Sequence, residues 1–283
     1  MTGKTIVVTG ATSGIGLEAA EQFARQGAFV IGVGRSAVKN QQAVEKIRNT
    51  NPKGEVVYLL ADLAHQSQVQ ALAGIIHSVL AEHGFSNLDI LINNAGVYLE
   101  KKQKSEDGIE MTFSVNHLAP FLLTHALMPL LESSTNPRVL TLSSYSHRNT
   151  PINLKRIANP RPYFGLLAYK RSKLCNILFT YELNRRSQAL LALAVDPGLV
   201  NTDIAIKGGR GISALVWRRR RLKGTSANVP VKTLLYLAGE SQIDTSHSYY
   251  FRDCHAITPS RNARRMDLGK NLWTLSNRLT GIS

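Results

Sequence analysis

Thr5-Ile-Val-Val-Thr-Gly-Ala-Thr-Ser-Gly-Ile-Gly16 is the stretch that decides the fold. Ile6, Val7 and Val8 read as a short apolar strand, and the residues from Ile15 to Gln26 as the helix that follows. Between them, Gly10, Gly14 and Gly16 form G-x-x-x-G-x-G. Small residues at a strand-to-helix turn let the backbone approach a pyrophosphate, and the helix start offers it unpaired N–H groups. Gly10, Thr12, Ser13, Gly14, Ile15 and Gly16 are therefore candidate dinucleotide-binding residues. A glycine turn is also an ordinary structural device, so the rest of the chain has to decide.

Outward from this turn, apolar strands alternate with helical patterns, which argues for βαβ units and a parallel sheet. Strands are expected at Thr5–Thr9, Phe29–Val33, Val56–Leu60, Leu88–Asn93, Arg138–Ser143, Leu191–Val195 and Ser248–Phe251. Helices are expected at Ile15–Gln26, Ala37–Thr50, Ser67–His83, Ile109–Leu131, Leu167–Ser187 and Ser226–Ala238. The order predicts an α/β fold, a single-domain, doubly wound parallel sheet of the Rossmann type flanked by helices. One domain is expected over 1–283, with a dinucleotide-binding half to about 140 and a catalytic, substrate-loop half after it.

Composition fits a globular chain, with 43% hydrophobic and 19% charged residues. No apolar run is long enough for a membrane span, and the first strand starts almost at once, so neither a span nor a signal peptide is expected. Cys175 and Cys254 are too few for a disulfide framework, and a cytoplasmic setting is the plain expectation. The histidines have no metal spacing, and no metal is expected. Residues 1–150 carry 12 basic and 12 acidic side chains, whereas 151–283 carry 22 and 7. The whole net charge of +15 thus sits in the second half, with Arg218-Arg-Arg-Arg221 at its centre. Such a surface favours polyanions.

The strand ends narrow the cofactor. NAD binding wants an acid after the second strand, to accept from the ribose hydroxyls. Arg35 and Ser36 stand there instead, and suit a 2′-phosphate; the expectation is NADP(H). Asp62-Leu63 follows the third strand, where a carboxylate can accept from the adenine amino group or cap a turn. Asn93-Asn-Ala-Gly96 follows the fourth. Its small and amide residues, Asn93, Ala95 and Gly96, permit close contact with a ribose, or simply make a good turn.

Tyr169-Lys-Arg-Ser-Lys173 supplies the chemistry. Residues four apart share a helix face. A free phenol has a pKa near ~10, and an ammonium beside it is expected to lower that value. Ser144, after the fifth strand, can donate to a carbonyl or alkoxide oxygen. Pro120 lacks the N–H that would bond to the Asn116 carbonyl, which leaves that carbonyl able to hold a proton-relaying water.

Together these motifs resemble the classical short-chain dehydrogenase/reductase superfamily. The resemblance implies a tetrad of Asn116, Ser144, Tyr169 and Lys173. Tyr169 and Lys173 would also bind cofactor, as would Pro197, Gly198, Val200 and Thr202 of Asp196-Pro-Gly-Leu-Val-Asn-Thr202. Asp107-Gly-Ile-Glu-Met111, Val115-Asn-His-Leu118, Ser172–Thr180 and the tail through Leu272-Trp273 resemble the retinol-dehydrogenase-like group. That group implies an NADP(H)-dependent oxidoreductase interconverting a lipophilic carbonyl compound, retinoid- or steroid-like, and its alcohol. Light-dependent protochlorophyllide reductases are similar around Tyr169–Asn176, but carry a cysteine where Asn93 stands. The competing class is a non-catalytic NADP(H)-binding or partner-docking protein on the same fold, for which an intact tetrad is superfluous.

Two partner expectations complete the reading. The superfamily commonly packs its long helices across a two-fold axis, and Leu174, Leu178 and Tyr181 give an apolar stripe that would serve a homodimer or be buried within one subunit. Trp217 beside Arg218–Arg221 suits peripheral contact with an anionic membrane, or the four arginines form a solvated helix face. Nucleic acid is not expected, because no stacking platform accompanies the charge.

Overall fold

Short runs of β-branched and aliphatic residues pair into one eight-stranded sheet at the centre of the molecule. The computed structural model describes residues 1–50, 52–200 and 224–282. Its strands are β1 (Thr5–Thr9), β2 (Phe29–Gly34), β3 (Val56–Leu60), β4 (Ile90–Asn93), β5 (Arg138–Leu142), β6 (Leu191–Val195), β7 (Tyr250–Arg252) and β8 (His255–Ala256). They lie in the order β3-β2-β1-β4-β5-β6-β7-β8. All neighbours are parallel except β8, which runs antiparallel on β7.

A parallel sheet must be covered on both faces. On one side, α1 (Gly14–Arg25) and α7 (Asn228–Gly239) bring Phe23, Leu234 and Leu237 onto Ile6, Val8 and Val30. On the other, α3 (Gln66–Glu82) and the helical run 111–126, here α4, bring Leu72, Ile76 and Phe121 onto Val7, Ile31 and Leu91. The order reverses between β1 and β4, which opens a crevice at the carboxyl ends of the strands. This is the single-domain Rossmann-type fold.

Most boundaries lie within two residues of expectation. The run expected as one helix over 109–131 differs. Glu110 caps its start, its carboxylate accepting from Thr112 N at 2.9 Å and Phe113 N at 2.8 Å. One turn later the path widens into a π-turn at Ser114–Leu118, resumes as α-helix over Ala119–Ala126, and breaks before α5 (Met128–Glu132). Pro120 and Pro129 each fall in the first turn of a segment, where a missing N–H is tolerated.

The second difference concerns the C-terminal segment and the apolar stripe it covers. A C-terminal helix, α8 (Met266–Thr280), lies along α6 (Gly165–Arg186). Leu268 and Leu272 pack with Leu174 and Leu178, both fully buried, and Tyr181 joins the same cluster. Arg186 closes the end, its guanidinium 4.7 Å from the centre of the Trp273 ring. The stripe is apolar as expected, and of the two coverings open to it this chain's own helix takes Leu174 and Leu178. The basic run Arg218–Arg221, with Trp217, lies outside the described residues.

Candidate active site

The crevice is a cavity of about 610 Å³, within the range of a cofactor or substrate site. Every parallel strand from β1 to β6 ends on it. Gly10, Thr12, Ser13, Gly14 and Ile15 line it after β1, Arg35 after β2, and Asp62 and Leu63 after β3. Ala95 and Gly96 follow β4, Ser144 follows β5, and Pro197, Gly198 and Val200 follow β6. Tyr169 and Lys173 reach it from α6.

The glycines divide their work. Gly10 and Gly14 have φ of 66° and 55°, the left-handed region that favours glycine. Gly16 does not line the cavity. A Cβ there would lie 2.4 Å from both Asn94 Nδ2 and the Gly10 carbonyl oxygen, so Gly16 lets α1 close onto the loop after β4. Asn94 is the brace between them, donating to Thr9 O at 2.8 Å and Gly10 O at 3.3 Å.

Several expected ligands also have structural partners. Ser36 caps α2 (Ala37–Arg48), accepting from Lys39 N, and is not part of the lining. Asn93 is buried beneath the site and donates to Thr124 Oγ1 at 3.1 Å. Asp62 lines the cavity but also caps its own turn, accepting from Ala64 N at 3.0 Å. Thr202 lies outside the described residues. Conversely, His65, Tyr98, Met111, Val115 and Leu199 line the cavity unanticipated. No short motif marks them; only the folded path of the chain collects them.

The reacting end is built on the β5 carboxyl end. Lys173 Nζ and Asn176 Nδ2 both donate to Leu142 O at 3.0 Å, and Ser143 Oγ donates to Lys173 O at 2.8 Å. These bonds lock α6 to β5 and place Tyr169 beside Ser144. Asn116 is wholly buried and off the cavity wall. Its side chain accepts from Val97 N at 2.7 Å, and donates to Val97 O and Ser172 Oγ, both at 3.0 Å. Ser172 Oγ in turn donates to Tyr169 O at 2.8 Å. Asn116 therefore ties the wall of the site to the helix that carries the tyrosine.

The electrostatics differ from expectation. Burial pushes the Tyr169 phenol up to about 12, the Asp196 carboxylate pushes the same way, and a hydrogen bond with Ser144 opposes both. Lys173 Nζ lies 5.7 Å from the centre of the Tyr169 ring, and burial draws its ammonium down to about 8. Burial dominates among the protein's own groups, and the lowering expected from the lysine does not figure among them. Tyr169 is a neutral O–H donor at neutral pH, and Tyr98 packs edge-on against it, with ring centres 6.0 Å apart.

The residues fit a dinucleotide. The backbone cradle at Gly10–Ile15 suits a pyrophosphate, and exposed Arg35 stands at the far end from Tyr169. Comparison with known proteins agrees. The family model for short chain dehydrogenases matches residues 4–211. Retinol dehydrogenase 12 of Mus musculus is 36% identical over 99% of this chain and 87% of that protein. The WW domain-containing oxidoreductase of Homo sapiens is 35% identical over 98% of this chain and 68% of that protein. Among solved structures, an uncharacterized protein from Mycobacterium Paratuberculosis matches with a TM-score of 0.75 at 31% identity, covering 99% of this chain and 94% of that one. A short chain dehydrogenase from Escherichia coli CFT073 complexed with NADPH matches with a TM-score of 0.66 at 26% identity, covering 89% and 97%. The chain therefore belongs to the short-chain dehydrogenase family, in its retinol-dehydrogenase-like group, as an oxidoreductase that acts on CH–OH groups with a nicotinamide cofactor.

Proposed function

We propose that the chain interconverts a lipophilic carbonyl compound and its alcohol with NADP(H). The observation that carries this reading is one cavity with Arg35 at one end and Ser144, Tyr169 and Lys173 at the other. When bound, the nicotinamide supplies the hydride for reduction or takes it in oxidation. Tyr169 gives its phenolic proton to the carbonyl oxygen as the C–O double bond becomes single, and takes a proton back from the alcohol in the reverse direction. Ser144 Oγ donates to the same oxygen as charge develops on it. Lys173 and Asn116 hold Tyr169 in place through the bonds to Leu142, Val97 and Ser172. On the cofactor side, Arg35 pairs with a 2′-phosphate, and Pro197, Gly198 and Val200 form the wall beside the nicotinamide.

A lipophilic substrate is supported by Tyr98, Leu99, Met111, Val115 and Leu199, which line the cavity with no charged side chain among them. Leu199 is itself solvent-exposed, and Tyr145, next to Ser144, is too. Such an apolar rim suits entry of a poorly soluble molecule, and is compatible with peripheral contact with an anionic membrane. NADPH absorbance against a panel of aromatic aldehydes, retinals and ketosteroids tests the proposal. Consumption is expected with apolar carbonyls, faster with NADPH than with NADH; no turnover across the panel would overturn it.

A further inference from the structure

The end of β6 holds a carboxylate that the fold isolates. Asp196 is 2% exposed, and its backbone N–H donates to Phe251 O at 2.8 Å. Its Oδ1 accepts from Tyr145 N at 3.2 Å and from Gly198 N at 3.0 Å. One oxygen thus joins the segment directly after Ser144 to the turn directly after Pro197, and both of those residues line the cavity. Among the described residues the other oxygen, Oδ2, makes no short hydrogen bond, although the Tyr250 hydroxyl lies against the carboxylate. Arg252 Nη1 lies 4.0 Å from it, but Arg252 also pairs with Asp253 at 3.3 Å. A buried carboxylate costs stability unless its neighbours compensate it.

The groups around it explain what it does. His147 lies near it from the loop after β5, Tyr169 from α6, and Tyr250 and Arg252 from β7, while Arg148 acts on His147 and Tyr250. His147 does not neutralise the carboxylate. That ring bonds the Ser144 carbonyl through Nδ1 at 2.7 Å and accepts from Ser260 N through Nε2 at 3.1 Å, and burial holds it below the usual imidazole range. The carboxylate is felt by two phenols, the half-buried Tyr169 and the buried Tyr250, and it opposes negative charge on both.

We propose that Asp196 is a positioning residue of the reacting centre, which fixes the Ser144 segment against the Pro197–Gly198 turn and sets the charge that Tyr169 faces. This rests on the role given to Tyr169 above. Asp196→Asn keeps an oxygen for both backbone N–H groups and removes the charge. Asp196→Ala removes both. Arg252→Gln, at a half-exposed side chain, leaves the carboxylate less compensated.

Ultraviolet difference titration, with Tyr169→Phe as the reference, reads ionisation of the Tyr169 phenol without turnover. The midpoint is expected to fall by roughly half a pH unit or more in Asp196→Asn and to rise in Arg252→Gln. A loss of packing has no reason to produce opposite shifts. The ascending limb of the pH–rate profile for alcohol oxidation should move with the titration, and Asp196→Ala should raise KM for the cofactor while lowering kcat. Unchanged midpoints in both charge variants, or shifts of the same sign, would overturn the proposal. If Asp196→Asn does not fold, Arg252→Gln carries the test. If the wild type turns over no carbonyl, the titration still decides the coupling of Asp196 to Tyr169, so the two readings fail separately.

Discussion

The ammonium of Lys173 donates to the main-chain carbonyl of Leu142 at 3.0 Å, so the last residue of β5 and the lysine of α6 are joined directly. Sheet and helix meet at the point where the chemistry is done. The bond fixes the helix rotation that presents Tyr169, one turn earlier, to the cavity.

With that anchor intact, Tyr169→Phe should fold normally and bind dinucleotide close to wild type, while kcat falls by at least about a hundredfold, the scale of a lost general acid. A phenol held near 12 by burial also fixes the direction of the pH response. Carbonyl reduction should hold across neutral pH, where the donor keeps its proton. Alcohol oxidation, which needs the base, should climb as pH rises. Initial rates in both directions from pH 6 to 10 check this; an oxidation rate that falls with pH would remove the tyrosine from the step.

Arg35 is exposed at the cavity end. Arg35→Asp should weaken NADPH binding by roughly ten- to a hundredfold, the value of a charge-assisted contact, and improve NADH. Fluorescence titration with both cofactors reads it, and equal affinities in the wild type would refute the assignment.

Two glycine-to-alanine changes should have opposite signs. At Gly16 a Cβ would lie 2.4 Å from the Gly10 carbonyl oxygen, a main-chain atom that cannot swing aside. Gly16→Ala is therefore expected to lower Tm and to weaken cofactor binding. At Gly74, inside α3, a Cβ would meet nothing within 4 Å, so Gly74→Ala should stabilise by about 0.5–1 kcal/mol. Calorimetry of both variants tests the pair.

His117 gives the acid limb of stability. It is wholly buried, its Nε2 is paired with Ser276 Oγ at 3.0 Å, and it stacks on Phe113. Burial draws its pKa down to about 3, from about 6.5 in the unfolded chain. Between these values the unfolded state binds a proton that the folded state refuses, so stability falls as pH drops through that window. Tm should decline from pH 6.5 toward 4, and His117→Gln should flatten the slope. An unchanged slope would show that other groups carry the acid response.

The βα order was legible because a parallel sheet demands uninterrupted apolar strands, such as Ile6–Val8 and Ile90–Ile92, each followed by an amphipathic helix. Tyr169, Lys173 and Ser144 were legible because their residue types and spacing carry chemistry. Ser36 caps α2, a role that a hydroxyl before a helix can combine with a phosphate contact, so the sequence alone does not separate the two. The π-turn at Ser114–Leu118 was not legible, since one extra residue per turn leaves hydrophobic periodicity almost unchanged. Helix α8 was missed because its apolar face, Leu268, Leu272 and Trp273, is sparse and lies among charged residues. The apolar stripe on α6 was seen, but a stripe does not say which surface will cover it.

The covering of α6 by α8 also has a consequence in time. Synthesis runs from the N-terminus, so the tyrosine-bearing helix leaves the ribosome well before the segment that shields Leu174 and Leu178. Until α8 follows, the nascent chain displays a greasy helix face beside a nearly finished sheet, a state prone to association and a natural client for chaperones. Premature termination before Met266 would leave the catalytic residues encoded in full and yet yield a protein that aggregates.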